Sequence, residues 1–181
     1  LLSIPGDMDL DVRETMKGVL HTDWGAFRDT GAPQDYFKSY DGSEQFHFKP
    51  GRGFWVLAND NWVVPEQDVN TVILDQHGIF KLPLQAGWNI IASPFDGPLP
   101  WDLVQAATPS MPQTAKLWAF NGTFRAATSL EPFQAYNYFN DAGDGAVLSM
   151  PFPGLWSDAS KINPSQRNPS KYAAAPPAVS G

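Results

Sequence analysis

Short apolar runs, each cut off by proline, glycine or an Asp/Asn turn, dominate the chain. Leu1-Leu2-Ser3-Ile4-Pro5 reads as a strand stopped by proline, and Ile90-Ile91-Ala92-Ser93-Pro94 reads the same way. A helix candidate follows each. In the first, Asp9 or Asp11 can cap a run in which Val12, Met16 and Val19 share a face; in the second, Asp102 caps Leu103-Val104-Gln105-Ala106-Ala107. An aspartate at a helix start satisfies otherwise unpaired backbone N–H groups.

Further matches lie downstream. Tyr40-Asp41-Gly42-Ser43 parallels Phe120-Asn121-Gly122-Thr123, and Asp-Gly and Asn-Gly favour tight hairpin turns because both central residues need positive φ. Phe48-Lys49-Pro50-Gly51-Arg52-Gly53-Phe54-Trp55-Val56 parallels Leu130-Glu131-Pro132-Phe133-Gln134-Ala135-Tyr136-Asn137-Tyr138. The pattern is that of a proline turn feeding an alternating strand. Gly53 and Ala135 are expected to be small because another backbone or ring approaches there.

Three matched blocks in one order predict a duplication: a first repeat over 1–74, a second over 75–149, and together one compact domain. The fold expected is all-β and mainly antiparallel. It is a sandwich or barrel of two pseudo-twofold related repeats with one short helix each. Between the repeats, Asn61-Trp62-Val63-Val64, Thr71-Val72-Ile73-Leu74 and Ile79-Phe80-Lys81-Leu82 read as strands, the last after a turn at Gln76-His77-Gly78. Residues 150–181 are rich in Pro, Ser, Ala and Asn and read as an extended tail or linker.

Composition narrows the function. With 7 Trp, 12 Phe, 15 Gly and 17 Pro in 181 residues, the chain suits many short strands packed on aromatics. The net charge is -7 and no Lys/Arg run occurs, so a nucleic-acid partner is not expected. There is no cysteine, which removes thiol chemistry and disulfides. No apolar run is long enough to span a bilayer, and the opening residues do not read as a signal peptide. The start inside a strand suggests a fragment or a processed chain. The absence of thiols leans toward an exported protein.

The paired pattern resembles a duplicated module of long surface and secreted proteins of Gram-negative and related bacteria. The stretches that carry it are Gly87-Trp88-Asn89-Ile90-Ile91-Ala92-Ser93-Pro94, Leu117-Trp118-Ala119-Phe120-Asn121-Gly122 and Pro50-Gly51-Arg52-Gly53-Phe54-Trp55. The resemblance covers about residues 1–140 and implies an extracellular, cell-surface or periplasmic module. Such modules sit beside repeats, adhesin-like domains or hydrolases, often before a sorting domain. It brings no catalytic residues. Departures are Lys38 where the second copy has Trp118, and Asn137 where the first has Trp55. Any binding site is therefore expected where the halves differ.

Chemistry needs a constellation. His21, His47 and His77 are far apart, and no pair has metal-ligand spacing. No nucleophile elbow or phosphate loop occurs, and Glu14, Glu44, Glu66 and Glu131 form no evident catalytic pair. Asp7, Asp9 and Asp11 alternate, but helix capping explains them better than calcium. Asn140-Asp141-Ala142-Gly143-Asp144-Gly145 is the calcium candidate, through Asp141 and Asp144, against an ordinary turn. No other cofactor is expected. Trp24, Trp62, Trp101, Trp118, Tyr136 and Tyr138 could stack on sugar rings, although most fit a core role. Trp62, Trp118, Tyr136 and Tyr138 are the candidate ligand residues, and Trp62, beside Asn59-Asp60-Asn61, is the best exposed. The leading expectation is a non-catalytic spacer, docking or adhesion module that meets a protein partner or its own parent chain. The alternative is a carbohydrate-binding module that takes a polysaccharide.

Overall fold

The computed structural model describes residues 1–30, 37–60 and 69–155. The first half holds β1 (Leu10–Asp11), α1 (Val12–Thr15), β2 (Trp24–Asp29), β3 (Phe37–Ser39), β4 (His47–Phe48) and β5 (Trp55–Ala58). The second holds β6 (Ile79–Pro83), β7 (Gly87–Ala92), β8 (Leu99–Pro100), α2 (Trp101–Ala107), β9 (Leu117–Phe120), β10 (Phe124–Ala127), β11 (Ser129–Leu130), β12 (Ala135–Asn140) and β13 (Val147–Pro151). The fold is all-β with antiparallel pairing between these strands, and each half carries one short helix. Several small open sheets form and none closes into a barrel among the described residues, which is compatible with a sandwich.

The same pairings occur twice. In the first half β1 meets β4 as Leu10↔Phe48 and Asp11↔His47; in the second β8 meets β11 as Leu99↔Leu130 and Pro100↔Ser129. Asp11 and Pro100 then stand at matching places, one residue before each helix. Likewise β5-β2-β3 matches β12-β9-β10. Ala26↔Val56 and Phe27↔Trp55 occupy the places of Leu117↔Tyr138 and Trp118↔Asn137.

These registers correct the middle sequence match. The counterpart of Trp118 is Phe27, and that of Phe120 is Asp29. Lys38 pairs with Arg28 and corresponds to Arg125, which pairs with Ala119. Asn121-Gly122-Thr123 is a three-residue loop joining β9 to β10, with Gly122 at φ +97°. Asp41-Gly42-Ser43 follows β3 instead, in a turn where Asp41 accepts from the Ser43 N–H at 3.0 Å. Two unrelated turns had converged on the same turn chemistry.

The halves join about the pseudo-twofold axis by a reciprocal exchange. Leu2 bridges Phe54 of its own half and Gln134 of the other; Ile91 pairs with Tyr136 of its own half and bridges Arg52 of the other. The Ser3 N–H donates to the Phe133 carbonyl at 3.4 Å, and the Ala92 N–H donates to the Gly51 carbonyl at 3.0 Å. Both accepting residues are left-handed, Gly51 at φ +72° and Phe133 at +64°. At the axis Gly53 faces Ala135. A Cβ added to Gly53 would fall well inside van der Waals contact of the Ala135 Cβ and 2.7 Å from the Leu2 carbonyl oxygen. The small residues read from sequence are therefore small because they meet each other.

Each half has its own core. The first gathers Ile4, Val12, Trp24, Phe46, Phe48 and Phe54. The second is larger, with Ile91, Leu117, Leu130, Tyr136 and Tyr138 joined by Leu148 and Met150. The last two come from β13, paired with β6 as Leu148↔Leu82 and Met150↔Phe80. Folded chain therefore runs past residue 149, where the tail was expected to begin. Residues 156–181 lie outside the described residues.

Several local expectations change. Asp11 does cap α1, accepting from the Arg13 N–H at 2.9 Å, a contact worth about 1 kcal/mol. The helix ends at Thr15, so Met16 is only its C-cap and Val19 is exposed. Asp102 is not the cap of α2. The helix starts one residue earlier, after Pro100, and Asp102 accepts from the Leu103 N–H within the first turn. Residues 71–74 form no strand: Val72 dips into the second core and Leu74 packs against it, while Ile73 is 83% exposed. The turn at 76–78 and the strand after it are present. The strand read over 61–64 lies outside the described residues.

Two predictions follow from the axis. Gly53→Ala should destabilise by about 1–3 kcal/mol, as overpacking does. Adding Ala135→Gly should return part of that loss, with a coupling of about 0.5 kcal/mol or more in a denaturant double-mutant cycle; strict additivity would refute the contact. Phe133→Gly should raise stability by about 1 kcal/mol, since the side chain is exposed and the left-handed strain is relieved.

Candidate functional site

The exchange at the axis leaves a cleft on each side, related by the same symmetry. One, of about 240 Å³, is lined by Leu1, Ala119, Phe120, Gln134 and Ala135, with Asn121 and Arg125. The other, of about 330 Å³, presents their counterparts: Ile90, Arg28, Asp29, Arg52 and Gly53. The scaffold is shared and the chemistry has diverged. Ala119 is replaced by Arg28, Phe120 by Asp29 and Gln134 by Arg52.

The larger cleft is polar. On its rim His47 Nδ1 lies 2.5 Å from an Asp9 oxygen, and Lys49 Nζ lies 3.6 Å from Asp9 and 3.3 Å from Glu44. The hydrogen bond with His47 comes first among the causes that hold the Asp9 carboxyl below its usual range. Asn89, buried in the wall, is spent on the backbone, accepting from the Gln85 N–H and donating to the Gln85 and Gly87 carbonyls. The two arginines differ from these closed pairs. Arg52 donates to the Pro83 carbonyl, and burial lowers the pKa of its guanidinium. Arg28 has a buried Nε with no hydrogen-bond partner. Neither forms an ion pair among the described residues.

The smaller cleft borders an aromatic face. Trp55 stands edge-on to Phe120 at 4.9 Å, to Phe37 at 6.0 Å and to Phe124 at 6.5 Å. Phe120 and Phe124 are themselves 5.1 Å apart. Phe37, Phe120 and Phe124 are 47%, 38% and 53% exposed. Trp55 thus reaches from the first half onto the second, and Asn137 takes its place in the other half.

The ring residues expected to meet a sugar are mostly closed. Tyr136 and Tyr138 are buried in the second core, so neither offers a face to a ligand. The Tyr136 hydroxyl accepts from the Glu131 N–H and donates to Gln134, both at 3.0 Å; the Tyr138 ring packs edge-on against Trp101 at 5.5 Å. Both tyrosines lie in a stretch of β12 that is buried throughout, with Ala135 and Asn137 beside them. Trp118 is half-buried on the opposite face of its strand, with the Lys116 ammonium 5.7 Å from its ring centre. Trp62 lies outside the described residues.

The 140–145 segment is a working turn. Asp144 accepts from the Ala86 N–H at 2.8 Å, and Asn140 bonds Gln85, Ala142 and Gly143, with both glycines at positive φ. No group of three or more His, Asp or Glu that could hold a metal occurs among the described residues. No helix among them is long and apolar enough to cross a membrane.

Sequence reasoning passed over Arg28, Asp29 and Arg52. Arg52 against Gln134 was visible in the matched blocks. Arg28 and Asp29 were hidden because the turn similarity assigned Phe120 the wrong counterpart. Comparison with protein-family models, curated proteins and solved structures finds no match.

The tyrosines supply a pH test of how closed these cores are. Burial raises the Tyr136 and Tyr138 phenols. Tyr40 is pushed from 10.0 up to about 12, by burial first and then by its hydrogen bond to Asp11. Because the folded state holds the proton longer, this contribution is complete below pH 10 and is lost as pH rises toward 12. Stability measured by urea unfolding should fall across that window, and fall less in Tyr40→Phe. An identical decline in the variant would refute the assignment.

Proposed function

We propose that the chain is a non-catalytic interaction module, a docking or adhesion unit of a larger extracellular bacterial protein. The observation that carries this reading is the aromatic face built from Phe37, Trp55, Phe120 and Phe124. Trp55 follows directly on the axis residues Gly53 and Phe54, and it meets rings carried on β3, β9 and β10. The face is assembled from both halves. Leu57, 62% exposed, extends it along β5. A contiguous exposed apolar patch on a small protein commonly marks a contact surface, and aromatic rings supply most of the energy at such contacts. The extracellular setting rests on the resemblance of the repeat pattern and on the lack of cysteine.

A carbohydrate-binding role is the second reading. It no longer rests on Tyr136 and Tyr138, and passes instead to the polar cleft.

The test is retention by the envelope fraction of producing cells. The wild-type chain should be retained. Phe120→Ser/Phe124→Ser should lose at least tenfold, with a melting temperature within a few degrees of wild type because both rings are exposed. Equal retention of the two proteins would overturn the docking face.

A further inference from the structure

The 330 Å³ cleft holds two guanidinium groups that no carboxylate of the described residues neutralises. Charged groups removed from water are normally paired. Lys49 on the same rim obeys that rule, through Glu44 and Asp9. Arg28 and Arg52 do not, and both replace uncharged residues, Ala119 and Gln134, of the sister cleft. A planar guanidinium matches a carboxylate through two parallel hydrogen bonds.

The remaining wall selects the body of the ligand. The apolar side chains there, Phe54 and Ile90, are buried, so no aromatic face is offered and the wall is presented by polar side chains and their carbon stems. Gln45 and Glu44 give the rim exposed hydrogen-bonding groups. The carboxylates of Asp29 and Glu44 would repel a ligand carrying several negative charges. The volume is at the small end of ligand sites. A single carboxylate on a compact, hydroxyl-rich body meets all of these conditions.

We propose that this cleft binds a uronate, an acidic sugar residue, with Arg28 and Arg52 on its carboxylate and the rim of Glu44 and Gln45 on its hydroxyls. Burial disfavours the charged form of Arg52, and the attraction of a bound carboxylate would offset that cost. The inference stands on the cleft alone and does not require the aromatic face.

The test is a calorimetric or NMR titration of the full chain with galacturonate, its methyl ester, galactose and acetate. Galacturonate should bind; the ester and galactose, which lack the charge, should bind at least tenfold more weakly, and so should acetate, which lacks the hydroxyls. Arg28→Gln should weaken galacturonate at least tenfold with an unchanged melting temperature. Arg52→Gln should do the same; should it fail to fold for want of its bond to Pro83, Arg28→Gln decides. Phe120→Ser/Phe124→Ser should bind galacturonate as wild type does, which separates this site from the docking face. No binding of galacturonate at tens of millimolar, equal binding of the ester or of acetate, or indifference to Arg28→Gln would each overturn the proposal.

Discussion

The contact between Gly53 and Ala135 at the pseudo-twofold axis sets the geometry of everything around it. Only small side chains let the two matching strands approach this closely, with the Leu2 carbonyl directly above Gly53. That approach permits the reciprocal backbone exchange, Ser3 to Phe133 and Ala92 to Gly51. The exchange in turn requires a left-handed residue at each turn. Glycine fills that place without strain in the first half; Phe133 fills it in the second at a cost of about 1–2 kcal/mol. A bulkier residue at the axis would separate the sheets and open both clefts.

Duplication gives the two halves the same pairings and leaves their contents free to differ. The second half has drawn in β6 and β13 and built the larger core. The first has a compact aromatic core in which Tyr40 packs edge-on against Trp24 and Phe46 and bonds the capping carboxylate of Asp11. Surface chemistry diverged in the same way. Where one cleft keeps Phe120 beside an aromatic face, its twin has Asp29 at the matching position, with Arg28 and Arg52 also in its lining. One scaffold thus holds two clefts whose lining residues differ at three matching positions.

Much of the fold was legible because strand periodicity and small residues leave a direct trace. Leu2 and Ile91, Phe54 and Tyr136, and Gly53 and Ala135 align in sequence as they do in space. The middle of the repeat was misread for a physical reason. Asp-Gly and Asn-Gly answer the same backbone demand wherever a tight turn occurs, so Asp41-Gly42 resembled Asn121-Gly122 without sharing its place. The clefts were less legible still. Arg28, Asp29 and Arg52 come together only once β2 and the strand pairing at Ile91 are in register, and no linear spacing announces them. Tyr136 and Tyr138 show the converse: aromatic character suggested a platform, while β12 is buried at every position but Phe139.

Contacts at the axis make the two halves one cooperative body. Native-state hydrogen exchange can decide this, because opening free energies distinguish one unit from two. The amides of Phe54 and Ala92, together with those of both cores, should exchange with a single common free energy equal to that of global unfolding. If the first-half amides open at a free energy several kcal/mol below those of the second half, the halves unfold separately and the axis does not bind them into one body.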